Sequence, residues 1–261
     1  MSGFHGNVSP GYLAKAATLF LPLKLMSYER MNIGRGHHVL DVGCGPGTDV
    51  LNLAERIGAG GSVTGVDYDG LMLKEANLKL KKAPLGECVG LLQGDAAALP
   101  FQSDYFDSSR SERLFMHLAD PEKTLSEMVR VTRPGGRVVV VDTDWSSLSI
   151  DNPLPRMERI FSDYRINRIL KNGYSGRSLY RQFQKHQLIE VEAQAFPICI
   201  TDAELFYFIS MQQAVEDQAL ADGLVARREL DDWRNALNEA SCCKSFYGSA
   251  TAVMISATKP H

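Results

Sequence analysis

Three glycines spaced two residues apart follow directly on an apolar run in VLDVGCGPGTD, residues 39–49. Glycine allows positive φ angles and lets a ligand approach the main chain closely. In an open parallel sheet, the first strand-to-helix turn also presents free N–H groups and a helix N-terminus. Gly43, Cys44 and Gly45 lie in the predicted turn and Thr48 begins the helix. These residues therefore predict a nucleotide or nucleoside site.

Three kinds of ligand compete for this turn. A phosphate loop requires lysine and then Ser or Thr after its last glycine, but Thr48 and Asp49 follow Gly47. A dinucleotide fold calls for a third glycine where Thr48 stands, and Asp49 would repel a pyrophosphate. A cationic nucleoside without phosphate avoids both problems, because Asp41 and Asp49 attract positive charge. S-adenosyl-L-methionine has that character, and NAD stays an alternative.

Two further aspartates follow predicted strands. Asp67 ends SVTGVD, where a carboxylate accepts hydrogen bonds from ribose hydroxyls, as it also does in NAD sites. Asp95 ends the third predicted strand in GDAAALPF, within reach of an adenine amino group. A turn cap is the alternative role of Asp95. Together with the glycine turn, the two aspartates favour cofactor binding.

The elements that position these residues alternate between strand and helix. HHVLDVG, SVTGVD and CVGLLQGD read as buried strands, separated by a helix over 48–57 and a helix capped by Asp69. Such repeats predict right-handed crossovers and a parallel sheet. A fourth strand around 105–111 is unusually polar for this position. A helix beginning at Asp120 and Pro121 leads to the β-branched fifth strand RVVVVD.

The regular alternation breaks at Trp145, and we divide the chain accordingly. The predicted parts are an N-terminal helical cover (1–35), a cofactor-binding core (36–145), a helical lid insertion (146–176) and a C-terminal part (177–261). IEVEAQAF and a strand at about 247–258 complete the sheet in that last part. Its inserted helices span 201–240, and a capping box of Thr201 and Glu204 is predicted to open the first of them.

Composition excludes several classes of function. Of the 261 residues, 44% are hydrophobic and 23% charged, and the net charge is −3 without long like-charged runs, which disfavours nucleic acid. The five cysteines lack ligand spacing, so we expect no metal site and a cytoplasmic location, with Cys242 and Cys243 buried near a helix end. No signal peptide or membrane span is expected, because YLAKAATLFLPLKLM is too short and contains lysines.

Five segments together resemble a known family. VLDVGCGPGTD, GVDYD, GDAAALPF, FDSSRSERLFMHLADP and RPGGRVVVVDTDW are similar, in order and spacing, to class I S-adenosylmethionine-dependent methyltransferases. The likeness is greatest to the branch that contains menaquinone and ubiquinone C-methyltransferases and bacterial natural-product enzymes. It covers residues 35–145 strongly and the remainder as a general plan. It implies a doubly wound α/β fold with a seven-stranded Rossmann-like sheet of order 3-2-1-4-5-7-6, the last strand antiparallel.

The resemblance also implies which residues contact the cofactor. They are Gly43 and Gly45 along its length, Asp67 on the ribose, Tyr68 beside the adenine, Asp95 with Ala96 at the adenine edge, Asp41 facing the amino-acid tail, and Arg110 or Ser111 near the methionine moiety. Methyl transfer is an in-line displacement on an activated sulfonium, so positioning and exclusion of water do much of the work. A general base is therefore optional.

Two residues are candidates for the acceptor side. His117, in LFMHLADP, follows the fourth strand and titrates in a useful range, although it could instead pack at a helix start. Asp144 ends the fifth strand beside Trp145, where a turn cap is equally consistent. The expected acceptor is a small, partly apolar metabolite methylated on oxygen, nitrogen or carbon. The alternatives are a cofactor-binding protein or non-methylating enzyme on the same fold, and an NAD-dependent oxidoreductase.

Overall fold

A computed structural model describes residues 10–261, with side chains from residue 18 onward. Its elements follow the predicted alternation through the first five strands. In chain order they are α1 (Pro10–Arg30), β1 (His38–Val42), α2 (Thr48–Ile57), β2 (Ser62–Asp67), α3 (Gly70–Leu80), β3 (Val89–Gln93), β4 (Phe106–Glu112), α4 (Pro121–Val131), β5 (Thr132–Ile150), α5 (Pro155–Tyr164), α6 (Ser175–Lys185), β6 (Ile189–Ile200), α7 (Ala203–Ser210), α8 (Gln212–Ala221), α9 (Arg227–Cys242) and β7 (Gly248–Thr258).

The described strands form one mixed seven-stranded sheet of order β3-β2-β1-β4-β5-β7-β6, which confirms the predicted fold. β1 pairs in parallel with β2 and β4, β2 with β3, and β4 with β5. β7 runs antiparallel to β5. The Lys259 amide donates to the Gly136 carbonyl near the start of β5 (2.9 Å), and the Asp151 amide donates to the Tyr247 carbonyl just past its end (3.0 Å).

The polar fourth strand is a genuine central strand. Ser108, Ser109, Arg110 and Ser111 are all buried in β4. The Ser108 hydroxyl donates to the Arg137 carbonyl (2.8 Å), and the Ser109 hydroxyl lies 2.8 Å from that of Thr132. Because buried hydroxyls need partners, these contacts explain how serines fit where apolar residues are usual.

Several local predictions are wrong. β3 ends at Gln93, before Asp95, and β5 continues past Trp145 to Ile150. That extension is stabilised from β7, since the Thr251 amide donates to the Ser147 hydroxyl (2.8 Å).

Helix α7 is capped by Asp202 instead of Thr201. Its carboxylate accepts from the amides of Glu204 (3.0 Å) and Leu205 (3.1 Å), so the capping side chain lies one residue later than predicted. Cys242 and Cys243 are exposed at the end of α9, not buried.

The chain divides into two compact units. One comprises Leu25–Asp144, Tyr174–Ala195 and Ala252–His261, and its core includes Leu40, Val66 and Phe106. The other comprises the chain up to Lys24, Trp145–Gly173 and Phe196–Thr251; within it the rings of Phe161 and Trp233 lie 5.2 Å apart. The domain boundaries drawn at 35, 145 and 176 stay a prediction. No helix within residues 10–261 has the length and apolar character needed to cross a membrane.

Candidate active site

The glycine turn joins β1 to α2, and hydrogen bonds to β2 fix its backbone. The amides of Gly43 and Cys44 both donate to the Val66 carbonyl, at 2.7 and 3.1 Å. Gly47 (φ 77°) packs against α3 so closely that a Cβ there would lie 2.7 Å from the Ala76 Cβ. Gly45 (φ 52°) differs, because a Cβ there would meet no atom within 4 Å. The turn is therefore tightly packed on one side and open at Gly45, while Thr48 begins α2 at the surface.

Asp67 lies directly against this turn. Its carboxylate accepts from the Gly45 amide (2.8 Å) and from the Asp69 amide (2.9 Å), which fixes both oxygens at the end of β2. The next residue, Tyr68, is 81% exposed and presents its ring to solvent. Asp95 accepts from the Ala97 amide (2.8 Å) in a short turn that includes Ala96. The structure thus brings Asp67 to the glycine turn and gives Asp95 the local capping contact.

A fully buried arginine on β4 faces three carboxylates. Arg110 and Asp41 are register partners on the adjacent strands β4 and β1, so their side chains share one face of the sheet. The guanidinium lies 3.3 Å from Asp41 and 3.4 Å from Asp49 in the first turn of α2, and it also pairs with Glu112. We refer to Asp41, Asp49, Glu112 and Arg110 as the carboxylate cluster.

The end of α1 is attached to this cluster. Arg110 Nε donates to the Ser27 hydroxyl (2.9 Å), and its guanidinium lies 5.0 Å from the centre of the Tyr28 ring. The Tyr28 hydroxyl donates to Asp49 and accepts from the Asn52 amide group at 3.3 Å. Burial and the neighbouring Asp49 charge both raise the Tyr28 pKa, so this hydroxyl stays a neutral donor.

The carboxylate cluster keeps Arg110 charged. Burial by itself lowers the Arg110 pKa, but Asp49, Glu112 and Asp41 outweigh burial and raise it, so the guanidinium remains charged. Three carboxylates are thus gathered in one poorly solvated group, and carboxylates attract a cationic ligand. Burial followed by the Asp41 charge also raises the Cys44 pKa, which keeps that thiol protonated.

The two acceptor-side candidates lie beyond β4 and β5. His117 ends a single turn of 3₁₀ helix, Phe115–His117, and its side chain is exposed. Asp144 is buried on β5, and its carboxylate pairs with Arg177 of α6 at 2.9 Å from Nε and 2.8 Å from a terminal nitrogen. Ser111 is buried on β4 in register with Val42, on the strand face opposite Arg110. Roles for these three residues stay predictions.

Comparison with known proteins identifies the family. A model described as a methyltransferase domain matches residues 40–140. The demethylmenaquinone methyltransferase of Lactococcus lactis is 32% identical over 198 residues, which cover 76% of this chain and 74% of that protein. The chain belongs to the class I S-adenosylmethionine-dependent methyltransferases.

Other similarities agree with that assignment. The methyltransferase is 36% identical over 158 residues to an uncharacterized 37.1 kDa protein in transposon TN4556 of Streptomyces fradiae; the match covers 60% of this chain and 45% of that protein. Its fold is that of the YcgJ protein from Bacillus subtilis, with a TM-score of 0.65 at 20% identity, covering 91% of this chain and 98% of that one.

Family membership gives the reaction and the cofactor. The methyltransferase uses S-adenosyl-L-methionine to methylate small molecules, as predicted, and the comparisons offer no support for either alternative. The residues present fit this cofactor, because the cluster groups three carboxylates that attract a cationic ligand and the space at Gly45 is open. Within the described part of the chain, no three His, Cys, Asp or Glu side chains are grouped to hold a metal ion.

Sequence reasoning missed Ser27, Tyr28 and Glu112, which contact Arg110 or Asp49 in the carboxylate cluster. A signal existed for Glu112, because residues two apart on a strand share a face and Arg110 was already a candidate. For Ser27 and Tyr28 there was none, since their partners lie 83 and 21 residues away in sequence.

Proposed function

We propose that this methyltransferase transfers the methyl group of S-adenosyl-L-methionine to oxygen, nitrogen or carbon of a small, partly apolar metabolite, with the amino-acid end of the cofactor at the carboxylate cluster. The observation that supports this placement is the grouping of Asp41, Asp49 and Glu112 around Arg110, with Asp41 and Asp49 on the strand and the helix that the glycine turn joins. These carboxylates would attract an ammonium group and a sulfonium, whereas they would repel the diphosphate of NAD.

The remaining cofactor contacts follow from the turn. Gly43 and Gly45 would lie along the cofactor, and the Asp67 carboxylate, held 2.8 Å from the Gly45 amide, would accept from the ribose hydroxyls. The exposed Tyr68 ring would pack beside the adenine, with Asp95 and Ala96 at its edge. Of the two residues expected near the methionine moiety, the cluster favours Arg110 over Ser111, since Arg110 contacts Asp41 and Asp49 directly.

The chemistry divides between cofactor and chain. When bound, the cofactor supplies a methyl group on a sulfur that is already activated. The chain then has to bind both reactants, align them and exclude water. His117 is the candidate to accept a proton from the acceptor, Asp144 with Arg177 offers a polar contact, and residues 146–176 are proposed as the lid. The Lactococcus relative is named for demethylmenaquinone, an apolar quinone, which supports a partly apolar acceptor here.

We also propose a cytoplasmic location, supported by five free thiols. A reducing compartment keeps such thiols unpaired, which is consistent with the five free cysteines.

Calorimetric titration tests the cofactor placement. We expect the wild-type chain to bind S-adenosyl-L-methionine and not NAD, and Asp41→Asn to weaken binding by about 10- to 100-fold, the effect of losing one charged hydrogen bond. Asp107→Asn is the matched control, since Asp107 is a hydrogen-bonded carboxylate at the opposite end of β4. Equal affinity in Asp41→Asn and wild type would remove the cluster from the cofactor site. Transfer of labelled methyl to a panel of quinols and phenols then tests the acceptor class.

A further inference from the structure

Asp142 is a fully buried carboxylate that the proposed function leaves without a role. One oxygen accepts from the Met116 amide (2.8 Å), and the other accepts from the Thr143 amide (2.7 Å). The Ser175 hydroxyl donates to the Thr143 carbonyl (3.3 Å) beside this carboxylate, and its presence helps to lower the Asp142 pKa. Both carboxylate oxygens therefore accept from backbone amides, and Met116, Thr143 and Ser175 come from three different segments of the chain.

Those segments meet where the strands end. Met116 belongs to the 3₁₀ turn that carries His117, Thr143 continues β5, and Ser175 begins α6. The backbones of α6 and β5 touch, because a Cβ at Gly176 would lie 2.7 Å from the Asp144 amide nitrogen and 3.1 Å from the Asp142 carbonyl oxygen. The Asp142 carboxylate thus holds the turn Phe115–His117 next to β5 and α6, whose backbones are in close contact.

We propose that Asp142 is a positioning residue for methyl transfer, holding the turn Phe115–His117 in register with β5 and α6. This inference rests on the proposed function, which places that turn beside the acceptor. The carboxylate would touch neither substrate nor cofactor. It would act by keeping His117 and the adjoining backbone at the distance and angle that an in-line displacement requires.

The charge state of Asp142 makes the role testable. Burial is the main cause that raises its pKa to about 7, against the opposing amide hydrogen bonds and the Arg113 charge from the segment after β4. The other charged groups nearby are Asp144, on the same strand, and Arg177 of α6, which pair with each other. The pKa is raised in the closed turn and would return toward its ordinary value on opening, so protonation of Asp142 favours the closed turn. Opening of the turn should therefore become easier as the pH rises toward about 7 and change little above it.

The variant Asp142→Asn keeps the shape but exchanges one acceptor for an amide donor that would face an N–H group. We expect kcat to fall by about 100-fold, the cost of misplacing reacting groups by an ångström. The dissociation constant for S-adenosyl-L-methionine should stay unchanged.

Asp107→Asn is the matched control. Asp107 also accepts from a backbone amide, that of His38 (2.7 Å), and from a side chain, Arg133 Nε (2.7 Å), but at the other end of β4. We expect this variant to lose stability and to keep both kcat and its pH profile. An equal loss of kcat in the two variants, or a cofactor dissociation constant that rises as much as kcat falls in Asp142→Asn, overturns the proposal.

Hydrogen exchange of the Met116 amide gives a readout independent of activity. We expect its protection, corrected for the intrinsic exchange rate, to decrease as the pH rises toward about 7, and we expect faster exchange without this pH dependence in Asp142→Asn. If the wild type binds no cofactor, the proposed function fails while this exchange still tests Asp142; if it is active and Asp142→Asn behaves like it, only the present inference fails. Should Asp142→Asn not fold, Ser175→Ala removes a single contact and should lower kcat in the same direction, and an unaltered kcat there overturns the proposal.

Discussion

Arg110 and Arg165 are the fully buried arginines among the residues that the structure describes, and their surroundings differ. Arg110 faces the carboxylates of Asp41, Asp49 and Glu112. Arg165 begins a π-helical turn after α5, donates to the Ser210 carbonyl (2.9 Å) and to the Gln212 side chain, and lies 5.8 Å from the Trp145 ring. One guanidinium is surrounded by charge and the other mainly by neutral acceptors.

The difference appears in the pKa values. Neighbouring carboxylates raise the pKa of Arg110 in spite of burial, whereas burial lowers that of Arg165 to about 10. The carboxylate that counteracts this lowering, Glu216, is engaged by Tyr207 (2.9 Å), Trp233 (2.9 Å) and Arg234 (2.8 Å). A buried network whose members satisfy one another indicates a structural role. A group of carboxylates at a strand end, beside an open glycine turn, indicates a ligand.

Arg110→Met should produce the largest effect. It removes the guanidinium that pairs with Asp41, Asp49 and Glu112, and breaking such a group costs about 3–5 kcal/mol in free energy of unfolding. Urea unfolding measures the loss, and a loss below that of Arg165→Met would contradict the comparison.

Tyr28→Phe should produce the next effect. It removes the hydroxyl that donates to Asp49, and a hydrogen bond to a charged group contributes about 1.5–3 kcal/mol. Tyr207→Phe is the matched control, because its partner Glu216 keeps Trp233 and Arg234 as donors. We expect only Tyr28→Phe to weaken binding of S-adenosyl-L-methionine as well, measured by calorimetry. Equal effects of the two variants on binding would mean that the Tyr28 contact is structural.

The parts of the fold predicted correctly are those encoded locally. α2 and β2 begin and end at the predicted residues, because glycines, caps and apolar periodicity lie within each segment. Asp69 and Asp120 cap α3 and α4 as expected. The end of β5 could not be predicted this way, since its last residues are held by β7, a strand about a hundred residues later in the chain.

The carboxylate cluster was predicted only in part for the same reason. Asp41 and Arg110 were candidates because a familiar motif contains them, but their pairing depends on strand order. Tyr28 is placed against Asp49 by packing of α1, which no spacing in the sequence encodes. The local sequence pattern thus identified Asp41 and Arg110 as candidates. Tertiary packing decided which residues pair with them.

Arg165→Met should have the smallest effect. The Ser210 carbonyl and the Gln212 side chain lose a donor, which costs about 1–3 kcal/mol, but an apolar side chain of similar length also removes the cost of burying a charge. We expect a net loss of about 1 kcal/mol in urea unfolding, with cofactor affinity unchanged. Arg165→Lys is a useful control, because it keeps the charge and loses the planar geometry. It should be the less stable of the two, since desolvation remains while hydrogen bonds are lost. If Arg165→Met instead abolished cofactor binding, a group of carboxylates around a buried arginine would no longer distinguish a ligand site from a structural network in this protein.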